Sequence, residues 1–441
     1  MIVERKGRIV ELGERVDPAK TALVVVDVQN DFCDGAGVFG RLGHDLSMMP
    51  AMAERLGELL AEARRLGVLT IFVRATYDEV VLSPPLAETY HRRGFTDSMC
   101  LEGTWGADWY GDIRPDGRPN EVVLTKHCFS PFWGTAIDLY LRSNGIETVV
   151  VTGVVTSGCV ESTARDAFFN GYHVVLASDC VAEASADRHA ASLRKMAQAF
   201  GVVVPGSEIR AAWAARSRPI QSWDLAARER RMLRDLDALL DPRHTALVLI
   251  DVQNDFCSPT GVMGQQGEDL AAIRSALPVM SDVLAAARSA DVMVIHIRAE
   301  YGPLSDSEVM RARSADAAST GCCAPGTWGS AFVEGFEPAP GEPVVVKHRF
   351  SAFIDTRLDG LLRGNGIRTI AVVGVATHCC VESTVRDASM RDYHVVVPED
   401  GVAARGRMRH LHDASLETMS LYFGTVTAAK AIVDVWSRRP V

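Results

Sequence analysis

Several things are missing from this sequence, and each absence narrows what the chain does. No apolar run is long enough to span a bilayer, which excludes a helical membrane anchor. No dense basic run occurs and the net charge is −10, which argues against nucleic acid as a partner. Met1 to Lys20 is polar and charged, without the apolar core of a secretory signal, so none is expected. The ten cysteines include no Cys-x-x-Cys pair. Cys322-Cys323 and Cys379-Cys380 are adjacent doublets, poor spacing for a zinc site. Ten cysteines in a chain of 441 residues are not a disulfide scaffold. The expected setting is a reducing cytoplasm, with neither membrane nor nucleic acid as partner.

What is present is a duplication. Thr21 to Asp27 reads TALVVVD and continues Val28-Gln29-Asn30-Asp31-Phe32-Cys33. Thr245 to Asp251 reads TALVLID and continues Val252-Gln253-Asn254-Asp255-Phe256-Cys257, an offset of 224 positions. Gly103-Thr104-Trp105-Gly106 recurs as Gly326-Thr327-Trp328-Gly329. Lys126-His127-Cys128-Phe129-Ser130-Pro131-Phe132 recurs as Lys347-His348-Arg349-Phe350-Ser351-Ala352-Phe353, now offset by 221. Gly153-Val154-Val155-Thr156-Ser157-Gly158-Cys159-Val160-Glu161-Ser162-Thr163 recurs as Gly374-Val375-Ala376-Thr377-His378-Cys379-Cys380-Val381-Glu382-Ser383-Thr384. Repeats this long are duplicated domains, not solenoid units. The expected boundaries are domain 1 over 1–206, a helical connector over 207–240 and domain 2 over 241–441.

Each copy alternates strand and helix signals. In the first, strands are expected near 21–27, 68–73, 121–125, 148–154, 173–178 and 202–204. Helices are expected near 46–66, 135–143, 159–170 and 187–199. The apolar runs lack period-two alternation, so the strands are covered on both faces. That predicts an α/β fold of two tandem three-layer α/β/α domains, each on a mostly parallel sheet. Thr76 to Asn120 reads as a long functional loop, with room for short helices.

Chemistry-bearing residues stand at the strand ends, where parallel sheets bind ligands. Asp27, Lys126 and Cys159 each end or follow a strand, as do Asp251, Lys347 and Cys380. A carboxylate near a thiol can take its proton, and an ammonium holds the carboxylate charged. A cysteine opening a helix sits in its partial positive field, which predicts a favoured thiolate. Taken singly, the acid is a turn cap, the lysine a solvated cation and the cysteine a packing residue. The same three in both copies outweigh those readings.

These motifs resemble the isochorismatase-like cysteine hydrolases, over about 17–206 and 241–430. The carriers are the Asp-Val-Gln-Asn-Asp-Phe stretch, the lysine segment with its two phenylalanines, and the glycine-to-threonine segment around each cysteine. The resemblance implies a six-stranded parallel sheet per domain and the triads Asp27, Lys126, Cys159 and Asp251, Lys347, Cys380. It also implies non-proline cis bonds at Val154–Val155 and Val375–Ala376, aiming the N–H groups of Val155 and Ala376 at an oxyanion. Members that bind metal carry an Asp-x-His pair after the second strand. Here those places read Arg74-Ala75-Thr76-Tyr77 and Arg298-Ala299-Glu300-Tyr301, and His91 and His296 are isolated. No catalytic metal and no cofactor are therefore expected. The motifs are most similar to the ureidoacrylate, biuret and N-carbamoylsarcosine amidohydrolases.

The expected function is a cysteine amidohydrolase that cleaves a C–N bond of a small amide or ureide through a thioester. The alternative keeps one half catalytic and the other as a binding or scaffolding partner. Phe32, Trp105, Phe132 and their counterparts Phe256, Trp328 and Phe353 are candidate substrate walls, with plain core as the other reading. Arg92, Arg93, Arg311 and Arg313 lie in the variable loops, where a substrate carboxylate is one use for them. Cys379 is expected to face away from Asp251 and Lys347, since successive residues at a helix start point about 100° apart. The family's oligomers imply that the two halves form an intramolecular pseudo-dimer, with a further homo-oligomer left open.

Overall fold

The computed structural model describes residues 11–95, 99–215, 233, 235–302, 304–309 and 321–438. They fall into two compact units that divide between residues 232 and 233.

The first unit holds strands β1 (Thr21–Val26), β2 (Leu69–Ala75), β3 (Glu121–Lys126), β4 (Thr148–Val154), β5 (His173–Ala182) and β6 (Val202–Val204). They form one sheet in the order β3-β2-β1-β4-β5-β6, with every pairing parallel. The order reverses between β1 and β4, the switch point where a crevice opens at the strands' carboxyl ends. Both strands are buried along their whole length, which is why they read as continuous apolar runs.

The strand period of two splits the core into two layers. Leu23 and Val25 join Phe72 under the helices Met49–Leu66 and Gly206–Ala214. Ala22, Val24 and Val26 face the other way, under the helices Ile137–Ser143 and Glu161–Phe169. Helix Met49–Leu66 forms because Met52, Leu56, Leu59, Ala63 and Leu66 recur on one face, and all are buried. It stops at Gly67, whose φ of 75° no β-carbon favours.

The second unit repeats this plan with β7 (Thr245–Ile250), β8 (Met293–Ala299), β9 (Val344–Lys347), β10 (Thr369–Val375), β11 (His394–Pro398), β12 (Val402–Ala403) and β13 (Thr425–Thr427). The order is β13-β11-β10-β7-β8-β9, with β12 beside β10. This sheet has seven strands where six were expected. In the first unit β5 runs unbroken through a register shift. In the second, Pro398 has no N–H for the ladder, so the strand stops there and resumes at Val402.

One boundary needs correction. The stretch expected to open a connector at 207 is the last helix of the first unit. Its Trp213 is fully buried, and its Nε1 donates to Val16 O at 2.8 Å. Helix Ala429–Ser437 repeats the arrangement, with Trp436 Nε1 donating to Leu240 O at 3.1 Å. Residues 216–232 and 234 of the expected connector lie outside the described residues. The loop from Thr76 to Asn120 also carries a two-turn helix, Pro84–Arg92, and a 3₁₀ turn, Trp105–Ala107.

Candidate active site

Three strand ends deliver three charged or nucleophilic groups to one buried point in each unit. Asp27 follows β1 with φ at 52°, in the left-handed region, which costs a non-glycine residue about 1–3 kcal/mol. Its backbone N–H is held by Val73 O at 2.8 Å. Lys126 ends β3 and is fully buried; its Nζ lies 2.6 Å from Asp27 Oδ2. The same Nζ donates to Cys128 O at 3.0 Å and to Cys159 Sγ at 3.4 Å. The second unit reproduces this: Asp251 has φ at 53°, and Lys347 Nζ lies 2.8 Å from Asp251 Oδ2 and 3.3 Å from Cys380 Sγ.

The cysteines sit differently from the expected helix start. Each occupies the fourth position of a single π-helical turn, Thr156–Val160 or Thr377–Val381, and the α-helix begins two residues later. The bonds Val154–Val155 and Val375–Ala376, just before these turns, are cis. Gly153 makes the approach possible. Its φ is 103°, and a β-carbon would stand 2.0 Å from Val26 O on β1.

The electrostatics correct the expectation of a resting thiolate. Burial first, and then the Asp27 charge, push the Cys159 thiol up, and Lys126 opposes them without winning. The field of the helix start is too weak to offset full burial. Asp27 is itself raised, by burial against the opposing pull of Lys126 and Cys159. Burial disfavours charge on Lys126, but Asp27 and Cys159 outweigh it and the ammonium is held. The resting site is thus a neutral thiol beside an ion pair. Besides Lys126, the group that acts on the Asp27 carboxylate is the Cys159 thiol, which is where its proton would come from.

Cys379 packs against the apolar cluster that holds Cys380. Its thiol is lowered, by Cys380 first and by Lys347 and Arg405 in addition, against burial and Asp251.

The other identical polar residues of the first motif brace the site. Gln29 is buried; its Nε2 donates to Ala75 O and Ala107 O at 2.9 Å, and its Oε1 accepts from Ala75 N at 2.7 Å. Gln253 makes the same three bonds with Ala299 and Ser330. Asp31 accepts from Val38 N at 3.0 Å and Cys100 N at 2.7 Å. Asp255 does so from Val262 N and Cys323 N. These groups tie the segment after β1 to the end of β2 and to the loop that carries the 3₁₀ turn.

Of the expected walls, Phe132 packs in the apolar cluster of Cys159, and Phe353 in that of Cys380. Phe32 and Phe256 belong to the opposite layer, with Phe32 edge-on to Phe39 at 5.2 Å. Trp105 and Trp328 are 51% and 56% exposed, and their carbonyls accept from Asn30 and Asn254. Arg92 pairs with Glu88 at 3.5 Å, and Arg93 lies 4.9 Å from the Phe95 ring. Arg311 and Arg313 lie outside the described residues.

The sequence reading missed Tyr77 and Tyr301. Both are raised by burial first; Cys159 adds to it at Tyr77, while Lys347 and Cys380 act in opposite senses at Tyr301. The signal was present as a repeated tyrosine at the strand end, read only for the histidine it replaces.

The isochorismatase domain model matches residues 21–208 and again 245–431. The chain belongs to the isochorismatase family. It is a hydrolase of that family, duplicated in tandem. Among its relatives is the ureidoacrylate amidohydrolase RutB of Methylobacterium radiotolerans, 33% identical over 217 residues, covering 46% of this chain and 84% of the relative. A cysteine hydrolase structure from Pseudomonas syringae pv. phaseolicola is 29% identical, covering 45% of this chain and 94% of its own, with a TM-score of 0.41. An isochorismatase family protein from Desulfovibrio vulgaris is 34% identical, covering 44% and 100%, with a TM-score of 0.39. No described helix is long and apolar enough to cross a membrane.

Proposed function

We propose that each half is an amidohydrolase site acting on a small amide or ureide through a thioester. One observation carries this reading. A buried carboxylate–ammonium pair meets a buried cysteine in both halves, with matching distances of 2.6 and 3.4 Å and of 2.8 and 3.3 Å. Identity to a relative named for ureidoacrylate hydrolysis supports the ureide.

In the first half Asp27 takes the Cys159 proton as sulfur bonds to the substrate carbonyl carbon. A neutral thiol with a raised pKa needs this base, and a raised carboxylate suits it. Lys126 keeps Asp27 ionised until the proton arrives. The carbonyl oxygen becomes an oxyanion facing the N–H groups of Val155 and Cys159. Asp27 then gives the proton to the leaving nitrogen, the C–N bond breaks and a thioester remains. Water gives a proton to Asp27 and attacks; the C–S bond breaks and the thiol recovers its proton. Asp251, Lys347, Cys380 and Ala376 take these roles in the second half.

The test is ammonia release from a panel of ureides and primary amides by the full chain, by Cys159→Ala, by Cys380→Ala and by the double variant. Each single variant should lose one activity by a factor of about 10⁴ or more and keep the other. Acyl-enzyme mass should appear on the remaining cysteine. A single variant that loses every activity would sink the two-site reading and favour one catalytic half.

A further inference from the structure

The two halves share their triads but not the surroundings of those triads. In the first half a chain of rings runs to the nucleophile. Phe39 stacks on Phe95 at 5.4 Å, with His44 at 4.9 Å from Phe39. Tyr90 meets Phe95 edge-on at 5.8 Å, Tyr77 at 5.4 Å and Phe129 at 6.4 Å. The near end of this chain is Phe129, which also packs against the apolar cluster that holds Cys159. Tyr90 is raised by burial first, the Tyr77 hydroxyl lowers it, and Cys159, Lys126 and Asp27 contribute further. Tyr77 is 6% exposed, and its hydroxyl sits beside that of Tyr90, so the two place a polar pair at the edge of the ring wall.

Among the described residues the second half has no such wall. Met263 stands in the place of Phe39 and Glu268 in that of His44, 224 positions on. Residues 302–322 include no aromatic residue, so neither Tyr90 nor Phe95 has a counterpart there. An ion cluster forms around Glu268: Arg405 lies 2.7 Å from Glu268 and 3.6 Å from Met263 Sδ, and Arg407 2.5 Å from Glu268. In the first half the residue after β5 is Glu183, which is spent on Ser157 N and Oγ at 3.1 and 2.7 Å.

We infer that the two sites divide substrates between them: the first takes a flat, uncharged amide or cyclic ureide, read by the Tyr77 hydroxyl and the Tyr90–Phe95 wall, and the second does not. This rests on the amidohydrolase reading for its chemistry but not for its binding. A ring lying against Tyr90 gains the edge-to-face and stacking contacts that a saturated ring of the same size cannot make. The Tyr77 hydroxyl then meets the amide N–H or carbonyl. A saturated ring also presents axial hydrogens that the slot must move aside to admit.

The test separates binding from turnover. Benzamide and cyclohexanecarboxamide are titrated into the full chain carrying Cys159→Ala and Cys380→Ala. Benzamide should bind about 10-fold tighter. Adding Tyr90→Leu should abolish that preference. Adding the isosteric Tyr77→Phe should weaken benzamide by about 10-fold and leave the unfolding transition in place, which serves should Tyr90→Leu fail to fold. In turnover, the Cys380→Ala chain should show the benzamide preference in KM, and the Cys159→Ala chain should not. Equal binding of the two rings, or a preference that survives both tyrosine changes, overturns the inference. A preference of the same size in both single-cysteine chains does so too. Preferential binding without ammonia from any compound would instead remove the amidohydrolase reading and keep the slot.

Discussion

Removing the buried lysine tests the ion pair more sharply than removing the cysteine. Lys126 Nζ and Asp27 Oδ2 are 2.6 Å apart and both groups are buried. At an effective dielectric constant of about 20 their attraction is about 6 kcal/mol. Desolvating two ions costs several kcal/mol each, so the pair contributes little net stability. Lys126→Met keeps the volume but leaves Asp27 alone among apolar groups. We expect it to destabilise the first unit by about 3–5 kcal/mol. Adding Asp27→Asn removes the orphaned charge and should recover most of that loss. The assay is urea unfolding of the full chain, following the two units' transitions separately. The single variant carries a second signature. Lys126 is what lowers Asp27 against its burial. Without it the carboxyl holds its proton to higher pH, so the acid limb of the first site's rate profile should move upward. The sign is that of an acid raised in the folded state. Its stabilising effect is present below the unfolded pKa and is lost as pH rises through the folded one. Lys126→Met should therefore unfold more readily as pH rises from the carboxylate range toward neutral. Equal destabilisation in the single and double variants, with no change in the rate profile, would refute the buried ion pair.

Gln29→Leu should cost about 2–4 kcal/mol, because it orphans two carbonyls and one N–H in the interior; unfolding midpoints of the first unit check this. Gly106→Ala would bring a β-carbon 2.2 Å from Asp31 Oδ2, so it should destabilise the same unit by about 1–3 kcal/mol and raise KM more than it lowers kcat. In the second unit burial pushes Glu342 up, but Arg288, the Ala339 N–H and His296 outweigh it and hold the carboxyl at about 2. That stabilisation is complete above the ordinary carboxylate range and is lost as pH falls toward 2. Glu342→Gln should forfeit about 2 kcal/mol at pH 7, after allowance for screening, and nothing at pH 2. Ammonia release should survive exhaustive chelation; loss with EDTA and recovery with added metal would contradict the proposed chemistry.

The duplication, the sheet and the two sets of Asp, Lys and Cys were legible in the chain, because each is a local pattern. Continuous apolar runs mark strands covered on both faces, and a polar residue ending such a run stands at the sheet's edge. Residues 207–214 read as helical but were assigned to the connector, because their tryptophan finds its place only against Val16, nearly 200 residues earlier. The charge state of the cysteines was misread for a related reason. A helix start is visible in sequence, whereas burial and the distance to Asp27 are sums over neighbours from other strands. Gln29, Asn30 and Asp31 repeat identically, and the repeat alone does not say what they do. Only the folded loop reveals that they spend their polar atoms on backbone groups tens of residues away. Tyr77 and Tyr90 lie 13 positions apart, and nothing in their spacing brings them together. The turn after β2 and the helix Pro84–Arg92 do that.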